Sequence, residues 1–422
     1  MYRSVFKTNH ITNYTTNYTT NYTANYQTQK PNHKTVQKMA GLSFLGLALT
    51  LTACNATDIA DRDLPNQKLT EPRLTDPPTL TTPATLAADV DNRTSSVSAT
   101  ASGASGTSGD DRPISLSIPI DCQLGDDCFV MLYPDVDPSS GIRDFGCGQQ
   151  TYDTHKGTDF AVPSLADLER GVDVLAAADG TVLRLRDGVP DRRLRTAAEI
   201  EAIAAQGIEC GNGIMIDHGD GWTGQYCHMA QGSVAVREGD RVQRGEVLGR
   251  VGVSGKTTFP HVHLTVRHND EVVDPYTGKA SAAGCNVDRQ PIWSEGQDYE
   301  PTGIVRIGFA DTPPTIDQLW DGEFTAPSID TQADVLLFWA HYYGAQAGDI
   351  ERYRLLDGAG RVVTEYEQEV KTNQVNGMSY VGKRNTPQNP IVPGTWRGEY
   401  SLVRAGEVIA SQVAELEVRS AN

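Results

Sequence analysis

The sequence predicts a mainly β protein in which two folded β domains follow one another. Glycine and proline are frequent, with 40 and 22 of the 422 residues, a content typical of β-rich domains with many turns. From residue 114 onward, short apolar segments alternate with turn sequences that contain Gly and Asp, as expected for strands. One helical candidate, residues 196–206, has Ala, Ile and Glu at helical spacing. An all-helical bundle is therefore not expected.

The first 54 residues are predicted to contain a polar repeat followed by an export signal. NYTT-like repeats run to Tyr26, and Lys38 precedes an apolar stretch that closes with small residues before Cys54. This layout is typical of a secretory signal peptide and is too short for a typical membrane span. Because a signal peptide rarely follows so long a polar segment, Met39 is an alternative first residue.

The end of this signal, Leu-Thr-Ala-Cys, resembles the lipobox of bacterial lipoproteins. The resemblance implies that Cys54 is diacylated and becomes the N-terminus of an exported protein of the cell envelope. Asn55, in place of Asp, resembles the sorting pattern for the outer membrane, with the protein facing the periplasm. Residues 55–111 are rich in Thr, Ser, Pro, Ala and Asp, so we expect a disordered tether between the anchor and the folded domains.

The charge balance argues against nucleic acid as a partner. Lys and Arg number 36 against 54 Asp and Glu, which gives a net charge of −18. A surface for nucleic acid or anionic lipid would need clustered Lys and Arg to meet the phosphate groups. We therefore expect no nucleic-acid partner, and contact with a membrane through the lipid anchor at Cys54.

Six of the seven cysteines remain once Cys54 is assigned to the anchor, and an even number suits an oxidising compartment. Position in the chain favours three disulfides: Cys122–Cys128, Cys147–Cys285 and Cys210–Cys227. The first pair would close a small loop, the last pair borders two strands joined by a turn, and the middle pair follows by elimination. Six cysteines allow 15 connectivities, so the other pairings stay open.

The first folded domain is predicted at residues 112–300 and consists of short strands around one helix. Turn sequences such as Asp-His-Gly-Asp-Gly at 217–221 suit hairpins. The predicted helix occupies residues 196–206. The predicted strands are 172–176, 180–185, 213–217, 224–227, 247–251 and 261–267.

Histidines carry the recognisable chemistry of this domain. His155 and Asp159 form an HxxxD motif, His261 and His263 form an HxH motif, and His228 stands by itself. Because residues i and i+2 of a strand lie on the same face, His261 and His263 can face the same site. A catalytic zinc site takes three His or carboxylate ligands and keeps one position open. His155, Asp159 and one of the paired histidines could supply that set, which leaves two histidines for proton transfer.

Five segments of this domain together resemble the lysostaphin/LytM-type zinc metallopeptidases. In order, the segments are HKGTDF (155–160), VLAAADGTV (174–182), GNGIMIDHGDGWTGQYCHM (211–229), GDRVQRGEVLGRVGVSG (239–255) and HVHLTVRH (261–268). The resemblance implies a compact antiparallel β fold with a groove. It also implies Zn²⁺ ligands at His155, Asp159 and His263, and catalytic roles for His228 and His261.

The resemblance further implies the substrate and partners. Family members hydrolyse peptide bonds in peptidoglycan, in stem peptides or cross-links, and some members have lost zinc ligands and act only as activators of cell-wall amidases. Because the ligand set is complete here, we expect an active zinc endopeptidase, with cell-wall division or remodelling proteins as possible partners. The alternatives are a catalytically silent, wall-binding regulator of amidases and a secreted protease that acts on proteins.

Two segments depart from simpler members of the family. Residues 164–171 lengthen the loop after the HxxxD motif, and residues 184–209 insert a segment that carries the predicted helix. Both are expected to border the groove. They affect the expected substrate preference and leave the expected chemistry unchanged.

The second folded domain is predicted at residues 303–419 as an immunoglobulin-like β-sandwich. Its predicted strands are 335–343, 352–356, 362–366, 396–402 and 413–418, and their spacing is typical of such a sandwich. The histidine motifs do not recur there, so we expect a separate accessory domain outside the catalytic site. Trp320, Trp339 and Trp396 are either sugar-stacking residues or core residues.

Overall fold

In the computed structural model, which describes residues 114–420, strands carry most of the regular structure and the helices are short. The mainly β, antiparallel fold expected from the sequence is confirmed. The polar repeat, the signal with Cys54 and the tether lie outside the described residues, so these remain predictions. Within residues 114–420, no helix has the length and apolar character that a membrane span requires.

The N-terminal part, residues 114–300, is built on a nine-stranded sheet. Its elements are β1 (Phe129–Leu132), β2 (Thr158–Ala161), α1 (Leu165–Leu168), β3 (Asp173–Leu175), β4 (Gly180–Arg186), α2 (Ala197–Ala205), β5 (Asn212–Gly219), β6 (Trp222–Met229), β7 (Arg241–Val242), β8 (Val247–Arg250), β9 (His261–His268), β10 (Glu271–Asp274), β11 (Lys279–Ala280) and a 3₁₀ turn (Ser281–Ala283). The strand order is β1-β2-β9-β6-β5-β4-β7, with β10 beside β9 and β11 beside β10. Neighbouring strands of this sheet run antiparallel, and β3 pairs with β8 in a separate ribbon.

Helix α2 begins and ends where the sequence predicts. Thr196 is its N-cap and accepts the backbone N–H of Glu199, while the Glu199 carboxylate accepts the backbone N–H of Thr196. This capping box satisfies amide groups that the first helical turn leaves unpaired. Gln206 is the C-cap, so both ends of the predicted segment are capping residues.

The structure contains the three disulfides favoured by chain position. Cys122 pairs with Cys128, Cys147 with Cys285, and Cys210 with Cys227. The second of these joins residues 138 apart and thereby links the two ends of the N-terminal part.

The C-terminal part, residues 303–420, contains two sheets that share one core. Its elements are β12 (Gly303–Ala310), α3 (Ile316–Asp321), β13 (Ser328–Asp330), β14 (Val335–Ala345), β15 (Ile350–Leu356), β16 (Val362–Glu369), β17 (Gln374–Arg384), β18 (Gly394–Arg404) and β19 (Glu407–Arg419). The sheet orders are β12-β14-β17 and β13-β19-β18-β15-β16. Phe338 of β14 and Trp396 of β18 belong to the same buried cluster, so the sheets pack face to face as a sandwich. Its immunoglobulin-like character stays a prediction.

The tryptophans proposed for sugar stacking are core residues. Trp320, Trp339 and Trp396 are at most 2% exposed. An aromatic ring must present a face to solvent to stack on a sugar, so burial excludes that role for all three in this conformation.

The two parts also contact each other directly and belong to one compact unit. An apolar cluster, called here the interface cluster, joins side chains from both parts: Phe129, Met131, Leu132, Ala161 and Phe259 on one side, and Val305, Trp320 and Tyr343 on the other. This cluster is separate from the cores of the N-terminal sheet and of the sandwich. It places α3 of the C-terminal part beside the segment that leads into β9.

Candidate metal centre

Three neighbouring strands bring the predicted site residues together. In the antiparallel pair β2–β9, Asp159 lies opposite His263, and in the pair β6–β9, Cys227 lies opposite His263. His228 therefore follows directly on the strand beside His263. His261 lies two residues earlier on β9, and His155 precedes β2 by three residues.

The side chains of His155, Asp159 and His263 converge on one point. His263 Nδ1 is 2.7 Å from Asp159 Oδ1, and His155 Nε2 is 3.2 Å from both of these atoms. Zinc bonds of about 2.0–2.1 Å in a tetrahedral site place neighbouring donor atoms about 3.3 Å apart. The three donor atoms therefore fit the ligand set of a small divalent cation.

Hydrogen bonds orient the two histidines of this donor set. His155 Nδ1 is 2.7 Å from the backbone carbonyl of Tyr133, and because a carbonyl only accepts, Nδ1 carries the proton. His263 Nε2 contacts the Thr265 hydroxyl at 2.8 Å. Each contact uses one ring nitrogen and leaves the other, which faces Asp159, for a metal, as in well-ordered metal sites.

A second histidine trio shares one member with this set. His228, His261 and His263 also present donor atoms within 4.8 Å of one another. The set with Asp159 contains a carboxylate, and its donor atoms are 2.7–3.2 Å apart. A third group, Cys122, Asp127 and Cys128, is excluded as a metal site because both of its thiols are in a disulfide.

His228 and His261 lie beside the ligand set with matching orientations. His228 Nδ1 is 2.9 Å from the carbonyl of Ser254, and His261 Nδ1 is 2.9 Å from the carbonyl of Phe259. Both rings therefore carry the proton on Nδ1 and the lone pair on Nε2. His261 Nε2 lies 3.5 Å from Asp159 Oδ1, and the two rings are 4.6 Å apart between centroids.

Burial sets the protonation of this cluster. Burial lowers the pKa of His261 and His263, and burial together with the neighbouring histidines holds the pKa of His228 well below its usual value. Burial alone would raise the pKa of Asp159, but its contacts with the rings of His155, His261 and His263 hold that pKa well below its usual value. At neutral pH Asp159 is therefore a carboxylate, and His228, His261 and His263 are neutral imidazoles, which are the forms that bind metal or accept protons.

His228 has a backbone conformation that residues other than glycine rarely adopt. Its φ is +66°, in the left-handed region, where strain is common at functional sites. The His228 N–H donates to the Cys210 carbonyl at 2.8 Å, and the Gly252 N–H donates to the His228 carbonyl at 3.0 Å. Since Cys210 is also bridged to Cys227, the residue before His228 is held covalently as well. Nothing in the residue sequence indicates this conformation.

Sequence reasoning missed the segment that orients His228 and His261. Their hydrogen-bond acceptors, the carbonyls of Ser254 and Phe259, lie between β8 and β9, and the Thr257 hydroxyl is 3.1 Å from His261 Nδ1. The positions of Thr257 and Phe259 just before the HxH motif are the one available signal. The inserted segment 184–209 packs on this loop, with the Leu194 N–H donating to the Thr257 carbonyl at 2.8 Å.

Within residues 114–420, three histidines lie outside the centre. His218 lies near the end of β5, where its Nδ1 donates to the Asp179 carbonyl at 2.8 Å. The His268 ring stacks on Trp222. His341 is buried in the C-terminal part, where its Nε2 lies 2.8 Å from Asn376 Oδ1.

Comparisons with known proteins agree on this region. Residues 153–275, which include every residue of the centre, match the model of Peptidase family M23. An uncharacterized metalloprotease of Haemophilus influenzae is 31% identical over 125 residues, which are 30% of this chain and 21% of that protein. The DD-carboxypeptidase/endopeptidase Mpg of Neisseria meningitidis is 33% identical over 126 residues, 30% of this chain and 23% of that protein. The peptidoglycan DD-endopeptidase ShyA of Vibrio cholerae is 29% identical over 109 residues, 26% of this chain and 19% of that protein.

The chain thus spans about a fifth of the length of the curated relatives it matches. Among solved structures, the catalytic domain of the M23 protein EnpA from Enterococcus faecalis is 23% identical and has a TM-score of 0.25, with 38% of this chain and 95% of that chain covered. The catalytic domain of lysostaphin from Staphylococcus simulans is 21% identical with a TM-score of 0.21, covering 34% of this chain and 84% of that chain.

Proposed function

We propose that this protein is a zinc-dependent endopeptidase that hydrolyses peptide bonds in peptidoglycan, since residues 153–275 match the model of Peptidase family M23. The observation that carries the proposal is the convergence of His155, Asp159 and His263 beside two neutral histidines. Relatives of this domain are named as a peptidoglycan DD-endopeptidase and as a DD-carboxypeptidase/endopeptidase. Stem peptides or cross-links are accordingly the proposed substrates.

The donor set fits zinc, with His155 Nε2, Asp159 Oδ1 and His263 Nδ1 as the ligands. When bound, zinc supplies Lewis acidity, which polarises a peptide carbonyl and lowers the pKa of water. One carboxylate and two imidazoles are donors that zinc accepts readily in catalytic sites with three protein ligands. The hydrogen bonds to Tyr133 and Thr265 keep these rings in place.

His228 and His261 act as the proton-transfer pair. Each presents an Nε2 lone pair, because each Nδ1 donates to a backbone carbonyl. One of the two takes the proton from the attacking water at Nε2 and returns that same proton to the leaving amine. The other, with its lone pair on Nε2, accepts a hydrogen bond from the water and orients it. Burial lowers the pKa of both rings, so both start neutral and can accept a proton at neutral pH.

We place this activity in the bacterial cell envelope. An anchor at Cys54 and the tether 55–111 would hold the enzyme at the outer membrane, facing the periplasm, within reach of the wall. The tether of about 57 residues corresponds to a random-coil span of about 40 Å. Cell-wall division or remodelling proteins are the partners proposed for an enzyme at that location.

Purified residues 112–422, supplied with zinc and isolated peptidoglycan, test the proposal. We expect release of muropeptides with new amino groups, loss of release after chelation, and recovery when zinc is added back. Metal binding without release would favour a wall-binding regulator of amidases. Cleavage of casein without release of muropeptides would indicate a protease that acts on proteins.

A further inference from the structure

A short loop between β8 and β9 orients both histidines of the proton-transfer pair. This segment, residues 254–259, is called here the anchoring loop. The carbonyl of Ser254, its first residue, accepts the Nδ1 proton of His228, and the carbonyl of Phe259, its last residue, accepts that of His261. A displacement of the anchoring loop would therefore move both imidazoles relative to the metal ligands.

The inserted segment 184–209 holds the anchoring loop on one side. The Leu194 N–H donates to the Thr257 carbonyl at 2.8 Å, and Arg193 Nη1 donates to the Thr258 carbonyl at 3.2 Å. The Arg193 side chain is only 3% exposed. A buried guanidinium requires partners for its charge and its N–H groups.

Those partners belong to helix α3 of the C-terminal part. Arg193 Nη1 lies 2.8 Å from Asp317 Oδ1, and Arg193 Nη2 lies 3.0 Å from Asp321 Oδ1. The same guanidinium thus bonds to the anchoring loop and to two carboxylates of α3. Thr315 and Gln318 form a capping box at the start of this helix, which fixes where its carboxylates lie.

A row of aromatic rings makes a second connection from α3 to the site. The His261 ring stacks on Phe259 at 4.4 Å between centroids, and Phe259 stacks on Trp320 at 5.4 Å. Trp320 in turn meets the His341 ring edge-on at 4.6 Å. Phe259 is 8% exposed and Trp320 is 2% exposed, so each ring is packed on its neighbours and has little freedom to tilt.

We propose that Trp320 and Arg193 are positioning residues of the active site, through which α3 of the C-terminal part holds the anchoring loop and the ring of His261. Trp320 acts through Phe259, and Arg193 acts through the Thr258 carbonyl; neither residue contacts the metal ligands. The inference rests on the proposed function, because the role of His261 in turnover belongs to that proposal. According to this inference, the C-terminal part helps to hold the catalytic side chains in position.

Substitutions at Trp320 test the ring connection in the zinc-loaded protein. Trp320→Leu should lower kcat about tenfold or more, since small misplacements of reacting groups are costly, while KM and zinc content stay unchanged. Trp320→Phe retains a stacking ring and should recover most of the lost rate. Histidine-selective ¹⁵N NMR should show one tautomer for His261 in the wild type and in Trp320→Phe, and an averaged signal in Trp320→Leu.

Arg193 and Arg195 form a matched pair for the second connection. Both contact Asp321, but the Arg195 side chain is half exposed and bonds to Asp321 and not to the anchoring loop. The backbone N–H of Arg195 donates to Glu199. Arg193→Met should lower kcat and disturb the NMR signals of His228 and His261, whereas Arg195→Met should change neither. This pair keeps the proposal testable if Trp320→Leu does not fold.

Wild-type values of kcat and of the His261 signal in folded Trp320→Leu or Arg193→Met would overturn the inference. If the wild type itself shows no turnover, the proposed function fails, and the NMR signals alone decide on positioning. A disturbed His261 signal in an inactive protein supports the positioning role without the activity. Equal signals in all variants reject the positioning role whatever the activity.

Discussion

At the scale of single residues, the centre contains two groups of side chains: His155, Asp159 and His263 supply the converging donor atoms, and His228 and His261 lie beside them. His155→Ala and Asp159→Ala each remove one of three converging donor atoms, so we expect both variants to lose bound metal. His228→Ala leaves all three donors and should keep zinc, while turnover falls about 10²- to 10⁴-fold, as is typical when a general acid or base is removed. Metal content by mass spectrometry and muropeptide release measure the two effects.

His218→Ala is the control for these variants, because His218 lies near the end of β5, outside the centre, and bonds to the Asp179 carbonyl. It should retain both metal and turnover. The assignment of ligands would be wrong if His228→Ala lost metal while His155→Ala retained it in full.

The buried carboxyl group of Asp274 should make the free energy of unfolding depend on pH. Its Oδ1 accepts the Tyr276 N–H at 2.7 Å, its Oδ2 is buried without a hydrogen-bond partner, and burial raises its pKa to about 7 from an ordinary value of 3.8. The folded state therefore binds a proton on Asp274 more tightly than the unfolded state does. Protonated Asp274 stabilises the fold fully below pH 3.8, and this stabilisation is lost as the pH rises through about 7. Asp274→Asn should therefore gain stability over the wild type, by up to about 4 kcal/mol above that pH.

Urea denaturation in steps from about pH 4 to pH 8 measures this difference. Asp137→Asn is the control, since hydrogen bonds from Ser139 lower the pKa of the exposed Asp137. Ionised Asp137 therefore stabilises the fold, and this stabilisation is lost only as the pH falls below the usual pKa range of an aspartate. A constant difference between Asp274→Asn and the wild type across these steps would contradict the prediction.

The surroundings of His228 and His261 determine how activity should fall at acidic pH. Burial, with the neighbouring histidines, holds the pKa of His228 well below 6.5, and burial lowers that of His261. A lowered pKa keeps the proton-accepting form populated as the pH falls, so kcat/KM should stay high below pH 6.5 and decline at more acidic pH. A profile of kcat/KM against pH in a constant zinc buffer measures this decline. A decline centred above pH 6.5 would contradict the prediction.

The residues that sequence reasoning could predict are those with local motifs. HxxxD and HxH each place two functional side chains within a few positions, and strand alternation puts His261 and His263 on one face. Phe259 and Trp320 have no such signal, because 61 positions separate them and their ring contact depends on how α3 packs. The left-handed conformation of His228 likewise depends on hydrogen bonds to distant residues.

At the scale of elements, the end of β6 depends on the disulfide between Cys210 and Cys227. The bridge holds the residue before His228 and closes a loop with a sequence separation of 17. Replacing both cysteines by serine should lower the free energy of unfolding by about 3 kcal/mol, the value expected for a loop of this length. We also expect kcat to fall while zinc content is retained, because the ligands lie on β2, β9 and the segment before β2.

The bridge between Cys122 and Cys128 serves as the control. It closes a loop of separation 6 before β1, and its removal should affect stability without lowering kcat. Denaturant titration and single-turnover kinetics on both double variants make the comparison. Equal kcat values for the two would show that His228 does not need the bridge beside it.

The elements differ in how far the sequence could predict them. Helix α2 was predictable because its capping box is local, and the β5–β6 hairpin because its turn sequence is distinctive. Strand β2 has four residues, all buried, so it lacks the alternation that identifies a strand with one solvated face. Strand β17 contains Asn376, Gly377, Ser379 and Lys383 among its apolar residues, and its pairing with β14 overrides that weak pattern.

At the scale of the whole molecule, the interface cluster couples the two parts in unfolding. Met131, Phe259 and Trp320 are buried across this contact, and separating the parts would expose them to water at a cost of about 25 cal/mol per Å² of apolar surface. We expect calorimetry of residues 112–422 to show one cooperative transition for both parts. Two resolved transitions in the wild type would instead support the separate accessory domain expected from the sequence.

The Cys147–Cys285 bridge can form only after most of the N-terminal part has been synthesised. Its partners lie 138 residues apart, and a ribosome that adds about 5–20 residues per second needs about 7–28 s to cover that distance. During this interval Cys147 can react only with cysteines that belong to other pairs, beginning with Cys122 and Cys128. Because thiol–disulfide exchange passes through mixed disulfides, early wrong pairs are reversible only while a free thiol or an isomerase is present. Production in a strongly oxidising host without an isomerase should therefore trap scrambled chains, and co-expression of a disulfide isomerase should raise the yield of the native protein.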